Sequence, residues 1–265
     1  MKLSFSTLGC PDWSFGEIIT SAKDLGYQGV EIRGIEREIY APAIKELTAE
    51  REQTIEKLKA LGIEIAMLTA GTPLAVHGVQ EQAMKEGREY IDVASSLGVK
   101  YIRFLSTDKP YFDGGDPDLC KRQFAELVGY AQGKGVTPLI ETNGLFLDSK
   151  KLADFLDEVG GDCGALWDVH HPYRFNDEPV EKTIENLGLR IKYVHLKDSK
   201  IEKGAPVYKM MGYGDIPLEK AIRLLIESGY EGYFSLEWVK RWNKELEEPG
   251  IVFAHYVNYM RQFDK

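Results

Sequence analysis

Six segments of the chain share one pattern, in which an amphipathic stretch ends at a glycine and a short apolar run follows. The segments read DLGYQGVEIRG, ALGIEIAML, SLGVKYIRFL, GKGVTPLIE, NLGLRIKYVHL and ESGYEGYFSLE. Glycine suits the left-handed backbone conformation just past a helix C-terminus. The apolar runs are too continuous for half-exposed antiparallel strands and are typical of parallel strands buried on both faces. The pattern therefore predicts helices that alternate with parallel strands.

The stretches between the apolar runs have helical periodicity, because apolar side chains recur every three or four positions. Five sets show this spacing: Ile18, Ala22 and Leu25; Ile55, Leu58 and Leu61; Tyr90, Ala94 and Leu97; Leu152, Phe155, Leu156 and Val159; and Leu218, Ile222, Leu225 and Ile226. Asp148 comes just before one of these stretches. It is a predicted N-cap, since its side chain can accept bonds from the first N–H groups of a helix.

Eight strands follow from this reading, and no linker or low-complexity stretch separates them. Their predicted ranges are 2–7, 29–33, 63–69, 100–105, 136–141, 164–169, 191–196 and 232–237, and a final helix is expected near 250–262. Eight βα units predict one α/β domain over residues 1–265, a (β/α)8 TIM barrel. A doubly wound open sheet is the alternative. It normally carries a Gly-rich phosphate loop, and neither GxGxxG nor GxxxxGK is present.

The amino-acid composition indicates the cellular environment of the protein and argues against some classes of binding partner. The formal net charge of -9 argues against nucleic acid as a partner, because nucleic-acid binding normally relies on a basic surface. Three scattered cysteines without a CxxC motif predict neither a disulfide framework nor a thiolate zinc site. The N-terminus does not resemble a signal peptide, and no apolar run reaches membrane-spanning length. We therefore expect a cytoplasmic protein without nucleic-acid or membrane partners, and leave a homo-oligomer open.

Four polar side chains end consecutive predicted strands. Glu141 ends PLIE, Asp168 ends ALWD, His195 ends KYVH and Glu237 ends FSLE. A TIM barrel forms its active site at these C-terminal strand ends. Taken singly, each residue fits a structural ion pair equally well. Together they are buried charges that need compensation, which a divalent cation supplies. The oxygen-rich set predicts one divalent metal ion, first Mn2+, with Mg2+, Co2+ or Zn2+ as alternatives.

The motifs around these residues resemble a known superfamily, the xylose-isomerase-like sugar isomerases and epimerases. The matching segments are IETNG at 140–144, WDVHH at 167–171, HLKD at 195–198, GYGDIP at 212–217 and SLE at 235–237. The resemblance extends over essentially the whole chain. It implies a TIM barrel, metal ligands at the same four strand-end residues and a substrate contact at His171.

The ketose 3-epimerases of this superfamily use two metal-bound glutamates as the acid/base pair. Carried over, the resemblance implies that one of Glu141 and Glu237 removes the proton next to the carbonyl and that the other returns one, through an enediolate. Those epimerases carry an Arg six residues after the His ligand, where this chain has Ile201. The HLKD form is more similar to the branch that also contains inosose dehydratases and isomerases.

We therefore expect a metal-dependent isomerase or epimerase that acts on a small carbohydrate: a sugar, a sugar phosphate or a related keto-polyol. A dehydratase of an inosose or keto-sugar is the alternative. An apurinic-endonuclease-like nuclease needs three metals and more ligands than five histidines readily supply, and the net acidity also argues against it. The intact ligand set disfavours a sugar-binding barrel without catalysis.

Seven side chains are candidate substrate contacts: His171, Arg33, Arg103, Lys197, Asp198, Trp13 and His77. Cations there could hold a hydroxyl, carboxylate or phosphate, and an aromatic face could cover a sugar ring. Glu31 and Arg33 have an alternative role as a pair that orients metal ligands. Side chains alternate along a strand, so only one of His170 and His171 is expected to point inward, and the resemblance favours His171. The alternatives are simple packing for Trp13 and a solvated loop for His77.

Overall fold

The computed structural model describes residues 1–264, in which ten strands alternate with helices. In chain order the strands are β1 (Lys2–Ser6), β2 (Gly29–Ile32), β3 (Glu64–Pro73), β4 (Tyr101–Leu105), β5 (Thr137–Glu141), β6 (Gly164–Asp168), β7 (Ile191–Leu196), β8 (Asp198–Glu202), β9 (Ala205–Lys209) and β10 (Tyr233–Leu236). The helices are α1 (Phe15–Leu25), α2 (Arg51–Leu61), α3 (Gln80–Leu97), α4 (Pro117–Ala131), α5 (Ser149–Val159), α6 (His170–Asn176), α7 (Val180–Leu187), α8 (Leu218–Glu227) and α9 (Pro249–Met260).

Eight of the strands form a closed parallel barrel in the order β1-β10-β7-β6-β5-β4-β3-β2. Adjacent strands pair parallel; for example, Ile102 of β4 lies opposite Pro138 of β5, and the register between β3 and β4 shifts after Thr69. This architecture confirms the predicted (β/α)8 fold. The apolar runs marked the strands to within a few residues, and the largest difference is β3, which continues to Pro73.

The stretch after the seventh predicted strand, to which the sequence analysis assigned no strand, contains a hairpin. Strands β8 and β9 pair antiparallel, with Asp198 opposite Lys209 and Glu202 opposite Ala205. The turn between them consists of Lys203 and Gly204, and both have positive φ, 51° and 82°. Two-residue turns of this kind match the twist of the flanking strands, which explains how so short a connection closes the hairpin.

Contacts within the chain group it into two compact units. The first comprises residues 1–66 and the described part of 195–265, and the second comprises residues 67–194. In the first, the Phe5 ring stacks on Phe253 with centroids 4.1 Å apart, and the Tyr27 hydroxyl donates to the Phe253 carbonyl at 2.9 Å. In the second, Phe155 lies between Phe146 at 4.5 Å and Phe124 at 5.7 Å. The single-domain reading stays a prediction.

The residues of the predicted helix faces are buried or half-buried, with two exceptions. Ile55 and Ile226 are 39% and 40% exposed, although both were assigned to the apolar face. In α2 the buried positions are Thr54 and Leu58. A helix turns by about 100° per residue, so Ile55 lies at the edge of that face rather than at its centre. No helix among residues 1–264 is both long and apolar enough to cross a bilayer.

Helix α5 begins where the sequence predicted. Asp148 has an extended backbone, and its side chain accepts hydrogen bonds from the N–H groups of Lys150 at 2.9 Å and Lys151 at 3.3 Å. These are two of the N–H groups that the first turn of a helix leaves without an internal partner. The predicted N-cap is therefore confirmed.

We expect the substitution Asp148→Ala to lower the free energy of unfolding by about 1 kcal/mol, because it removes this acceptor. Asp148→Asn keeps a side-chain oxygen and should restore most of the loss. Urea unfolding measures both. Lys151→Ala, at an exposed position of the same helix, is the control and should change stability by less than about 0.5 kcal/mol. Equal effects of Asp148→Ala and the control would contradict the capping role.

Candidate active site

The four predicted ligands lie at or next to strand C-termini. Glu141 and Asp168 are the last residues of β5 and β6, His195 is the next-to-last residue of β7, and Glu237 directly follows β10. All four side chains are buried. Their strands are consecutive in the barrel order β10-β7-β6-β5. Ionisable groups buried in this way need compensating charge, so their contacts show what each can do.

In the unit of residues 67–194, Glu141 is the centre of a buried charged cluster. The Arg103 Nε lies 3.2 Å from Glu141 Oε2, and the His171 Nδ1 lies 3.2 Å from Glu141 Oε1. The other nitrogen of His171 lies 3.5 Å from Asp168 Oδ2. Arg103 also donates from Nη1 to the Ala70 carbonyl at 3.2 Å. His171 therefore contacts both predicted carboxylate ligands of this unit, and Arg103 compensates the charge of one of them.

Both histidines of the WDVHH motif lie beside Asp168. The ligand-capable atoms of Asp168, His170 and His171 are all within 4.8 Å of one another. The expectation that only one histidine points inward assumed that the strand continues. β6 ends at Asp168 and α6 begins at His170, so strand alternation does not apply to this pair, and the preference for His171 as a substrate contact stays a prediction. The backbone N–H of His170 also donates to Asp168 Oδ1 at 2.9 Å.

In the other unit, His195 lies between two carboxylates. Its Nε2 is 2.8 Å from Glu31 Oε2, and its Nδ1 is 3.4 Å from Glu237 Oε1. The Ser235 hydroxyl donates to the same Glu31 oxygen at 2.9 Å. One donor atom from each of Glu31, His195 and Glu237 fits within 4.8 Å. The contact with His195 is compatible with the orienting role that was the alternative for Glu31 in the sequence analysis, and that role stays a prediction.

Glu31 and Lys197 complete this cluster. The second oxygen of Glu31, Oε1, is buried and has no hydrogen-bond partner within residues 1–264.

The buried Lys197 ammonium contacts Glu237 Oε2. A cation in direct contact offsets the unfavourable desolvation of a buried carboxylate. Lys197 is therefore joined to Glu237 as Arg103 is joined to Glu141.

Asp198 holds the loop that follows the hairpin. Its carboxylate accepts backbone N–H bonds from Ser199 at 2.9 Å, Gly212 at 3.0 Å, Gly214 at 2.8 Å and Ile216 at 3.3 Å. A Cβ at position 214 would lie 1.8 Å from Asp198 Oδ1, so only glycine permits this approach. Burial raises the pKa of the Asp198 carboxyl, and the four N–H groups oppose that rise. Both oxygens bind the chain itself, and the substrate contact stays a prediction.

Three other predicted substrate contacts have structural roles. Arg33 donates from Nη1 to the Ile39 carbonyl at 2.9 Å. The Trp13 ring packs edge-on against Phe253 at 5.6 Å, which is the packing alternative. The His77 side chain is 67% exposed and its Nε2 lies 2.8 Å from Asp116 Oδ2, which is the solvated-loop alternative. Of the seven candidates, His171, Arg103 and Lys197 contact the predicted catalytic carboxylates.

The cysteines do not provide a nucleophile. Cys10, Cys120 and Cys163 are all free thiols. Burial raises the pKa of Cys163 to about 11 and that of Cys120 to about 12, and it raises the pKa of Cys10 further still. Because the thiolate is the reactive form, these groups are inert near neutral pH.

Comparison with known proteins shows the family to which the chain belongs. The chain belongs to the xylose isomerase-like TIM barrel family, whose sequence model matches residues 19–254. This confirms the superfamily that the motifs indicated.

Three similar proteins show the range of activities on this barrel. Fructoselysine 3-epimerase of Escherichia coli O157:H7 is 24% identical, over 98% of this chain and 98% of its own. A probable 3-DHS dehydratase of Bacillus anthracis superposes with a TM-score of 0.80 at 16% identity, covering 98% of this chain and 99% of its own. A barrel from Mycobacterium smegmatis in complex with magnesium gives 0.75 at 16% identity, with 98% and 95% coverage.

We expect Asp198→Ala to lower the free energy of unfolding by about 2 kcal/mol, because several partly or fully buried N–H groups lose their acceptor. Amide hydrogen exchange at Gly212, Gly214 and Ile216 should accelerate with it. Asp198→Asn retains one side-chain oxygen, so its free energy of unfolding should lie between those of Asp198→Ala and the unchanged protein. Glu202→Ala is the control, since Glu202 makes only an exposed pair with Lys209 on the same hairpin. Unchanged amide exchange in Asp198→Ala would contradict the loop-holding role.

Proposed function

We propose that the chain is a metal-dependent sugar isomerase or epimerase in which Glu141 and Glu237 form the acid/base pair. One observation carries the proposal: the two carboxylates have matching surroundings in the two units. Each is buried and contacts one basic side chain and one imidazole. Arg103 and His171 serve Glu141. For Glu237 the corresponding groups are Lys197 and His195, described above. Matched surroundings suit two groups that exchange the roles of proton donor and acceptor.

We propose that Glu141, Asp168, His195 and Glu237 hold one divalent cation. Three carboxylates and one imidazole are a donor set that suits a hard or borderline ion. The consecutive order of their strands supports a shared site, as do the groups of ligand-capable atoms within each unit. A bound cation would supply a Lewis acid for negative charge that develops at the carbonyl oxygen. Mn2+ is the first candidate, with Mg2+, Co2+ or Zn2+ as alternatives.

Side chains of the protein would remove and deliver the protons in the reaction. One glutamate removes the proton from the carbon next to the carbonyl, and the other delivers a proton to the same carbon from the opposite side. His171 contacts Glu141 and Asp168, so it is placed to bind a substrate hydroxyl beside the reacting carbon. Arg103 and Lys197 keep the two carboxylates oriented between turnovers.

We propose a neutral ketose or keto-polyol rather than a sugar phosphate. Phosphate recognition usually requires cations that pair with phosphate oxygens. The two buried cations of the candidate site, Arg103 and Lys197, contact Glu141 and Glu237 instead. Arg33 binds a backbone carbonyl of its own loop.

A keto-sugar dehydratase is the second candidate function. Ile201 occupies the position where ketose 3-epimerases have Arg, and the structure places Ile201 on the hairpin strand β8 with half of its surface exposed. The substrate contact of that Arg is therefore not replaced at this position. Proton removal next to the carbonyl would be the shared first step, and loss of water would follow in place of proton return.

We expect Asp168→Asn and His195→Ala to weaken Mn2+ binding by more than about 100-fold, because each removes a proposed ligand. Glu31→Gln should weaken it by about 10-fold, since the amide no longer stabilises the tautomer of His195 with the proton on Nε2. Calorimetric titration of Mn2+ into chelator-treated protein measures this. Glu64→Gln, at the start of β3, is the control. Equal affinity in all variants would refute the ligand assignment.

We expect the protein to exchange one substrate hydrogen for deuterium in D2O, because proton transfer passes through solvent-exchangeable carboxyls. NMR of Mn2+-loaded enzyme with free ketoses, their phosphates and inososes measures the exchange and identifies the product. Glu141→Gln and Glu237→Gln should each lower the rate by about 10²–10⁴-fold at saturating metal, with Glu64→Gln as the control.

Product without deuterium would exclude proton transfer and favour a hydride shift. An unsaturated or diketo product would assign the dehydratase. A phosphorylated ketose that clearly outcompetes its free counterpart would overturn the neutral-substrate proposal.

A further inference from the structure

A row of aromatic rings leads from the candidate active site to the surface of the unit of residues 67–194. We call His171, Phe175, Tyr111 and Phe112 the aromatic ladder. The Phe175 ring lies 6.0 Å from the His171 ring and 6.0 Å from the Tyr111 ring, measured between centroids. Exposure increases along the row, since His171 is buried, Phe175 is half-buried, Tyr111 is 46% exposed and Phe112 is 65% exposed.

The inner end of the aromatic ladder lies at a proposed catalytic residue, Glu141. His171 lies 3.2 Å from Glu141, and Phe175 follows it on α6. Tyr111 and Phe112 lie in the segment between β4 and α4. Both segments follow the C-terminal ends of barrel strands, where this fold binds its substrates. The ladder is therefore continuous with the candidate site and lies on its side of the barrel.

Tyr111 and Phe112 are adjacent in the chain and expose apolar ring surface to water. Apolar surface removed from water contributes about 25 cal/mol per Å2, and a flat ring offers a large area for stacking. A free sugar beside Glu141 and His171 would leave the outer rings uncovered. A longer molecule with a flat apolar part would cover them while its sugar part stays at the carboxylates.

We propose that the aromatic ladder binds an apolar or aromatic substituent carried by the substrate, so that the substrate is a substituted ketose rather than a free sugar. This rests on the proposed function for the position of the reacting sugar, and it adds the class of the substituent. Phe175 and Tyr111 form the wall of the subsite, and Phe112 lies at its solvent end.

The test compares D-fructose with two derivatives, 6-O-benzyl-D-fructose and 1-deoxy-1-benzylamino-D-fructose. Calorimetric titration into the Mn2+-loaded protein gives the affinity of each, without requiring turnover. At least one benzylated ketose should bind about tenfold more tightly than D-fructose, or more, since one phenyl ring is buried. The double substitution Tyr111→Ala/Phe112→Ala should remove most of that advantage and leave the affinity for D-fructose within about twofold.

Leu189→Ala is the matched control, because Leu189 is 88% exposed and precedes β7, so it lies at the N-terminal end of a barrel strand. It should retain the full preference for the benzyl group. Equal affinity for benzylated and free ketoses in the unchanged protein would overturn the subsite. A preference that survives Tyr111→Ala/Phe112→Ala would also overturn it, as would dissociation of an oligomer by that variant in sedimentation, which would make the ladder an interface between copies.

The deuterium-exchange experiment separates this outcome from the proposed function. Exchange without a benzyl preference would leave the isomerase or epimerase standing and reject the subsite. A ladder-dependent benzyl preference without exchange would support the subsite and reject the proton-transfer chemistry. Failure of every ketose to bind would reject both.

Discussion

Compensation of buried negative charge is the constraint on which the rest of the site depends. The closed barrel ends four of its strands with ionisable groups in places that water does not reach. A carboxylate in such a place is strongly unfavourable alone and becomes tolerable only through an opposite charge or a cation. Arg103 and Lys197 meet that demand with one contact each. The two basic side chains of the site thus stabilise two of the protein's own buried carboxylates, those of Glu141 and Glu237.

The same constraint explains the geometry around His195. The imidazole of His195 lies between Glu31 at 2.8 Å and Glu237 at 3.4 Å. A proton on Nε2 that is donated to Glu31 would leave Nδ1 without a proton, which is the form that the proposed metal site requires. Ser235 donates to the same Glu31 oxygen and so helps to fix that carboxylate.

Much of this could be predicted from the sequence, because the relevant signals are local. An apolar run that stops at a Glu, Asp or His marks a strand end, and the barrel rule then groups those ends. That reasoning located Glu141, Asp168, His195 and Glu237. It could not pair Glu31 with His195, since 164 residues separate them and the pairing depends on barrel closure. It also could not show that Asp198 holds a loop, because three of the carboxylate's four backbone partners come from a loop whose path only the fold determines.

The junction between β6 and α6 has a consequence for how such a site can change. Only Val169 separates the end of the strand at Asp168 from the start of the helix at His170. Because the connection is a single residue, the direction in which each residue of α6 points is fixed by the end of the strand. Inserting or deleting one residue there would rotate the helix by about 100° and turn both imidazoles away from their present positions beside Asp168. The length of this junction, and not only the identity of the residues around it, therefore limits how the site can change.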